Sequence, residues 1–511
     1  VGCSGWSGCA AHAWRFLPHL AAYLQPPHLA RPLEAALPCS KDRIMTTLFW
    51  FTKDLRLQDN GALNAAVLAA EGHQVAPVYV VDLAEYRSLA GIRQHSLTES
   101  LRALDGTLGG QLNVLQARTS ADFGLLLANA AKEVGATQVY ATRLFDPAGK
   151  ALQFAVGHFL ADRGVHLILE DSQYAVPPGV VKKQDGTPYK VYTPFQRLWQ
   201  EHGWDRPKAL PSVAIEWVRV PSAPGLVGTS GLAAEHGIPV PDKEAAFAVK
   251  AGEAFALRTW ERFKERALYG YDENRNRADM SGTSHLSHAL AFGEIHPRTL
   301  LAELADVPGH NVYRKELAWR EFYADVLWHN PHTTTEYYEP RFAGMRYDVG
   351  ALAEERLAAW QQGKTGYPMV DAGMRQLLET GWMHNRVRMI VASFLVKDLH
   401  LEWQQGAAWF EQNLSDFDPA SNAHGWQWTA GCGTDASPYY RIFNPIGQGL
   451  KFDPNGEYVR KYVPELRHLA GAEVHEPWTV LGGYSGGYPQ PIIDHATERE
   501  ESLRRLEEIK R

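Results

Sequence analysis

Between Gly381 and Asp435 the chain places five tryptophans, Trp382, Trp403, Trp409, Trp426 and Trp428, among Asn385, Arg386, Arg388, Asp416, Asp418 and Asn422. A buried indole needs a partner for its N–H. Tryptophans gathered beside amides, guanidiniums and carboxylates therefore suit a planar aromatic ligand with a charged tail, or a path for electrons. Upstream, Thr283, Ser284, His285, Leu286 and Ser287 follow Gly282 and precede an apolar helical run. Hydroxyls and free backbone N–H groups there offer an anion site, with an ordinary N-cap as the plainer alternative. Glu316, Trp319 and Arg320 stand at i, i+3 and i+4 and so share one helical face. A buried carboxylate beside an indole platform suits a stacked, hydrogen-bonded base, although a surface ion pair next to a packing tryptophan has the same pattern. Asn385, Arg388 and Met389 repeat that geometry: a carboxamide can read a pyrimidine edge, and a thioether packs on an aromatic ring. Asp416, Asp418 and Asn422 fall in a stretch rich in turn formers, where such side chains commonly satisfy their own backbone.

The stretches GWMHNRVRMIVASFLVKDLHLEW and SDFDPASNAHGWQWTAGCGTD, together with GTSHLSHALAFGEI and KELAWREFY, give the chain from Met45 onward a marked likeness. It resembles the photolyase/cryptochrome family, and within it the class I cyclobutane pyrimidine dimer photolyases. The resemblance implies FAD as cofactor, reduced in the active form, and DNA containing pyrimidine dimers as partner. It implies that Thr283, Ser284, His285, Leu286 and Ser287 hold the cofactor's phosphates, with His285 at the family's variable position. Tyr271 and Tyr313 would stand beside them, and Arg320 would turn toward the flavin. Arg388, Asp416, Phe417 and Asp418 would line the rest of the cofactor, with Asn422 at the flavin N5, where a neutral side chain suits a reduced, deprotonated ring. Trp319 and Trp428 would wall a flipped-out pyrimidine pair, with Glu316 and Asn385 at its base edges and Met389 beside them. Relatives acting on (6-4) photoproducts carry histidines where Asn385 and Met389 stand. Arg275, Arg386 and Arg441 would grip the flanking phosphates. Trp426 and Trp403 match the proximal and middle members of the family's electron relay. Where a third, surface indole is expected, this chain reads Tyr347-Asp348-Val349-Gly350, so the relay would end on Tyr347, take another route or be weak. The alternative function within the family is a blue-light photoreceptor cryptochrome. A second antenna chromophore, a folate, a deazaflavin or a flavin, stays open, as does an empty site, because no motif selects among them. No metal is expected, and the family is mostly monomeric.

These residues need a scaffold. Five β-rich runs, Thr46–Phe51, Val75–Val81, Leu112–Gln116, Gln138–Ala141 and Val165–Leu169, alternate with helical stretches such as Ile92–Leu108 and Ala121–Val134. That alternation predicts a doubly wound parallel sheet of Rossmann-like type over 45–172. No G-x-G-x-x-G follows the first strand, so a standard dinucleotide site there is not supported. Prolines punctuate 173–243, which reads as a long surface connector. Within 244–511, the expected FAD- and lesion-binding domain, amphipathic helical patterning dominates from about Glu244 to Trp409, while the part after Asn422 reads as Gly-rich loop and the tail Ala496–Arg511 as a charged helix with little to bury.

With 511 residues, 45% hydrophobic and 21% charged, the composition is that of an ordinary globular chain. No apolar run is long enough for a membrane span. The formal charge of −7 argues against a broad basic footprint, so any DNA contact must rest on a few local arginines. Four cysteines, three of them before Met45, point to a reducing, cytoplasmic setting rather than a disulfide scaffold. Residues 1–44, rich in Ala, Pro and His and poor in acids, read as a disordered extension or an upstream-start artefact.

Overall fold

A computed structural model describes residues 45–221, 250–435 and 440–510; the expectations for 1–44, and for the last part of the connector, lie outside them. Five parallel strands, β1 (Thr47–Phe51), β2 (Gln74–Asp82), β3 (Asn113–Ala117), β4 (Gln138–Arg143) and β5 (His166–Ser172), form a sheet in the order β3-β2-β1-β4-β5. All five residues of β1 are buried. Successive side chains of a strand point to opposite faces. Leu48 and Trp50 accordingly enter one apolar cluster, while Phe49 and Phe51 enter the other. Burial on both faces is what a parallel sheet with helices on each side requires. The expected strand runs match to within a few residues.

The connector departs from its expected form. It holds a helix, Tyr192–His202, and a two-residue strand, β6 (Glu216–Trp217), paired to the start of β2. Pro194 did not forbid the helix because it lies in the first turn, where the missing N–H has no intrahelical acceptor to lose. Tyr192, Phe195 and Trp199 form its buried stripe.

The long helix Pro308–His329, with Pro308 at its first turn, carries Glu316, Trp319 and Arg320. The stretch after Asn422 is the second correction. Pro419–Ala430 is a helix, so Asn422, Trp426 and Trp428 stand on it and not in a loop. Asp418 caps it, accepting the Ser421 N–H at 2.7 Å, and Gly431, at φ +91°, ends it. Glycine density suggested a loop here, yet the cap and Pro419 at the first position outweigh Gly425. The tail is the third correction. Helix His495–Glu508 buries Ser502, Arg505 and Leu506, and Arg505 pairs with Asp348 and Glu501. Among the described residues no helix is long and apolar enough to cross a membrane.

Candidate flavin and lesion site

The Thr283–Ser287 loop is held by two aromatic side chains. Tyr313 donates its hydroxyl to Ser284 Oγ at 3.1 Å, and Trp382 donates its indole N–H to Ser287 Oγ at 3.1 Å. His285, at φ +54°, lays its ring 4.4 Å from that of Trp382, and burial pushes its pKa down. Tyr271 is buried edge-on to Tyr313, 5.3 Å between centroids. His285 and Trp382 also border a cavity of about 770 Å³, whose wall includes His384, Lys461 and Arg467.

Farther along the chain, Arg388 pairs with Asp416 Oδ2 at 2.7 Å and donates to the Met383 carbonyl at 2.8 Å. Asp416 is 6% exposed, and its other oxygen has no partner. Asn422 donates from Nδ2 to the Ala407 carbonyl at 3.1 Å, which fixes the amide and frees its oxygen as an acceptor. A buried carboxylate oxygen in want of a donor, an oriented amide and a hydroxyl-lined loop fit a dinucleotide bearing ring N–H and ribityl hydroxyl groups. Phe417 packs under the Arg93 guanidinium at 4.7 Å, so it anchors this loop to helix Gly91–Thr107. Arg320 lies over the Tyr174 ring and donates to the carbonyls of Gln173 and Leu290.

The two tryptophans expected to wall a substrate are tied to one hub. Trp319 stacks on Tyr192, 3.7 Å between centroids and 6° from parallel. The Asp435 carbonyl accepts the Trp428 indole N–H at 3.1 Å, and the Asp435 carboxylate lies near the Tyr192 backbone. Thr434 adds a bond to the Lys190 carbonyl at 2.7 Å. Asp435 takes a left-handed φ of +50°, and burial raises its pKa. Tyr192 and Asp435 were not legible as site residues: each looks ordinary until the connector packs against the 433–435 turn.

Glu316 forms an ion pair with Arg275; both side chains are about a third exposed, so the carboxylate is not the buried group expected from sequence. Arg386 donates to Asn276 Oδ1 at 2.9 Å and from Nη1 to Met389 Sδ at 3.5 Å. Segment 275–276 therefore joins Glu316 to helix Asn385–Ser393. Asn385 is exposed at the start of that helix, and Arg441 is exposed with its carbonyl taken by the buried Lys397 ammonium.

Trp426 and Trp403 are both buried, and neither indole N–H has an acceptor. A Cβ on Gly406 would sit 2.1 Å from the Trp426 ring, so that ring rests on the helix Trp403–Asn413 one turn beyond Trp403. Trp403 meets Tyr337 edge to face at 6.2 Å, and Trp426 meets Trp360 at 6.1 Å. Among the described residues, no group of three His, Cys, Asp or Glu side chains could hold a metal ion.

The chain is similar to known proteins over most of its length. Residues 47–214 match the family model described as DNA photolyase, and 313–508 match the FAD binding domain of DNA photolyase. A deoxyribodipyrimidine photo-lyase from Agrobacterium fabrum is 39% identical over 494 residues, spanning 91% of this chain and 98% of the relative. A solved bacterial class III photolyase from Agrobacterium tumefaciens superposes with a TM-score of 0.81 at 36% identity, covering 94% of this chain and all of its own. A Synechocystis cryptochrome superposes with a TM-score of 0.79 at 26% identity, covering 90% and 99%. FAD is thus the cofactor of the helical part, and the chain belongs to the DNA photolyase family.

Proposed function

We propose that the protein repairs cyclobutane pyrimidine dimers in DNA with blue light. The observation that supports the reading is Trp319 stacked on Tyr192, with Trp428 held by the Asp435 carbonyl of a turn that Thr434 ties to Lys190. When bound, reduced FAD would supply the light-driven electron-transfer chemistry that opens the cyclobutane ring. The protein's residues do the rest. Extruding a damaged, poorly stacked pair costs only a few kcal/mol, which itself favours the lesion over sound DNA. Tyr192 covers one face of Trp319, so the indole offers its other face to a base. Glu316 and Asn385 present a carboxylate and an amide to the base edges, and Arg275, Arg386 and Arg441 meet the flanking phosphates. Arg275 then exchanges its ion pair with Glu316 for a phosphate, freeing the carboxylate to accept a base N–H. Three phosphate contacts within an acidic chain imply a shallow salt dependence.

The names of the relatives support dimer repair. Sequence motifs pointed to class I and the solved neighbour is a class III enzyme, so the subclass is not part of the proposal. A photoreceptor role is the second reading, favoured by the fold shared with the Synechocystis cryptochrome. Illuminating the holoprotein, its flavin fully reduced, with a dimer-containing oligonucleotide separates the two. Recovery of thymine absorbance is expected; its absence favours the photoreceptor.

A further inference from the structure

Trp426 and Trp403 have indole N–H groups that are buried without an acceptor. An indole that has lost an electron becomes a cation with an acidic N–H. With no base in reach, it holds its charge and stays a strong oxidant. The oxidising equivalent must therefore pass to a group that can shed a proton. Of the aromatic neighbours of Trp426, Phe410 has no proton to shed, and Trp360 is buried and donates to the Val391 carbonyl at 3.0 Å, which is not a base. The neighbour of Trp403 is different. Tyr337 lies 6.2 Å from it at an 84° interplanar angle, and the phenol donates to Glu402 Oε1 at 3.3 Å. Glu402 is half-buried, so a proton placed there has a way to water. Tyr347, the tyrosine nearest the missing surface indole, lies close to Tyr337.

We propose that Tyr337 is a redox-active tyrosine that ends the relay from Trp403, with Glu402 as its proton acceptor. The inference rests on reading Trp426 and Trp403 as a relay toward FAD. One electron passes from the Tyr337 phenol to the Trp403 cation and restores a neutral indole. The phenolic O–H bond breaks, and its proton goes to the Glu402 carboxylate. A neutral phenoxyl radical remains on Tyr337 until a thiol in solution returns one electron and one proton. Tyr337 is 8% exposed and sits in the helical core, so Tyr337→Phe keeps the ring and removes only the hydroxyl.

The test is transient absorption and electron paramagnetic resonance of the illuminated holoprotein with oxidised FAD and no thiol, comparing wild type with Tyr337→Phe, Glu402→Gln, Tyr347→Phe and Trp403→Phe. Wild type and Tyr347→Phe are expected to give a long-lived phenoxyl signal. Tyr337→Phe should lose it and show a tryptophan cation that decays by charge return, and Glu402→Gln should shorten the phenoxyl lifetime. A phenoxyl signal that persists in Tyr337→Phe, or disappears only in Tyr347→Phe, overturns the assignment. Photoreduction that survives Trp403→Phe intact overturns the relay reading instead.

Discussion

Replacing Trp319 with alanine tests the substrate wall where its geometry is most restrictive. Tyr192 lies 3.7 Å away and nearly parallel, and Phe322 and Tyr323 meet the indole at 5.7 and 5.4 Å, so one ring face is closed and one is left for a base. One base stacked on one aromatic face is worth about 1–3 kcal/mol on alanine substitution. That is roughly a fivefold to hundredfold loss of affinity. Truncation also uncovers the Tyr192 ring, which then offers a second aromatic surface behind the first. Trp319→Ala alone should therefore fall near the low end of the range, and Trp319→Ala with Tyr192→Leu near the high end. The assay is equilibrium binding in the dark to a duplex carrying one thymine dimer and to the same duplex undamaged, with thermal melting to show that both variants are folded. Affinity should fall for the damaged duplex and hold for the undamaged one. An equal fall on both duplexes, or none on either, would refute the assignment of Trp319 to the lesion.

Two further outcomes concern residues of the helix Pro419–Ala430. Asn422→Asp places a carboxylate where Nδ2 now donates to the Ala407 carbonyl, so the new group loses that bond and brings negative charge toward the cofactor. The midpoint potential of bound FAD should move to more negative values in a spectroelectrochemical titration, and an unchanged potential would remove Asn422 from the flavin. His424 is fully buried, touches Thr333 Oγ1 at 3.4 Å, and has its pKa pushed by burial from 6.5 to about 4. Between those values the unfolded chain takes up a proton that the folded chain refuses. The contribution of His424 is thus intact above pH 6.5 and is lost as pH falls toward 4, about 3 kcal/mol in all. Denaturant unfolding of His424→Gln should show a flatter acid limb than wild type; parallel limbs would contradict the burial argument.

The groups that assemble the site come from separate layers of the fold, and the contacts between layers account for what was hidden. Trp319 reaches its hub only because the connector helix Tyr192–His202 packs on Pro308–His329, and Trp428 reaches the same hub through the turn ending at Asp435. Truncating the connector at Tyr192 would loosen both walls together.

Residue order alone determined the features that repeat over a few positions. The alternation of strands and helices in 45–172 was legible because a strand repeats every two residues and a helix every three to four. The shared face of Glu316, Trp319 and Arg320 was legible for the same reason, as were the hydroxyl loop at 283–287 and the motifs that named the family. Tertiary structure decided the rest. It turned the glycine-rich stretch after Asn422 into a helix, because capping by Asp418 and packing of Trp426 onto Gly406 outweigh weak local propensity. It paired Arg275 with Glu316, stacked Tyr192 on Trp319, held Trp428 by the Asp435 carbonyl, and put Tyr337 against Trp403. Contacts between residues far apart in the chain leave no periodic trace, since each partner's side chain is chosen by its own element and only the packing of those elements brings the pair together.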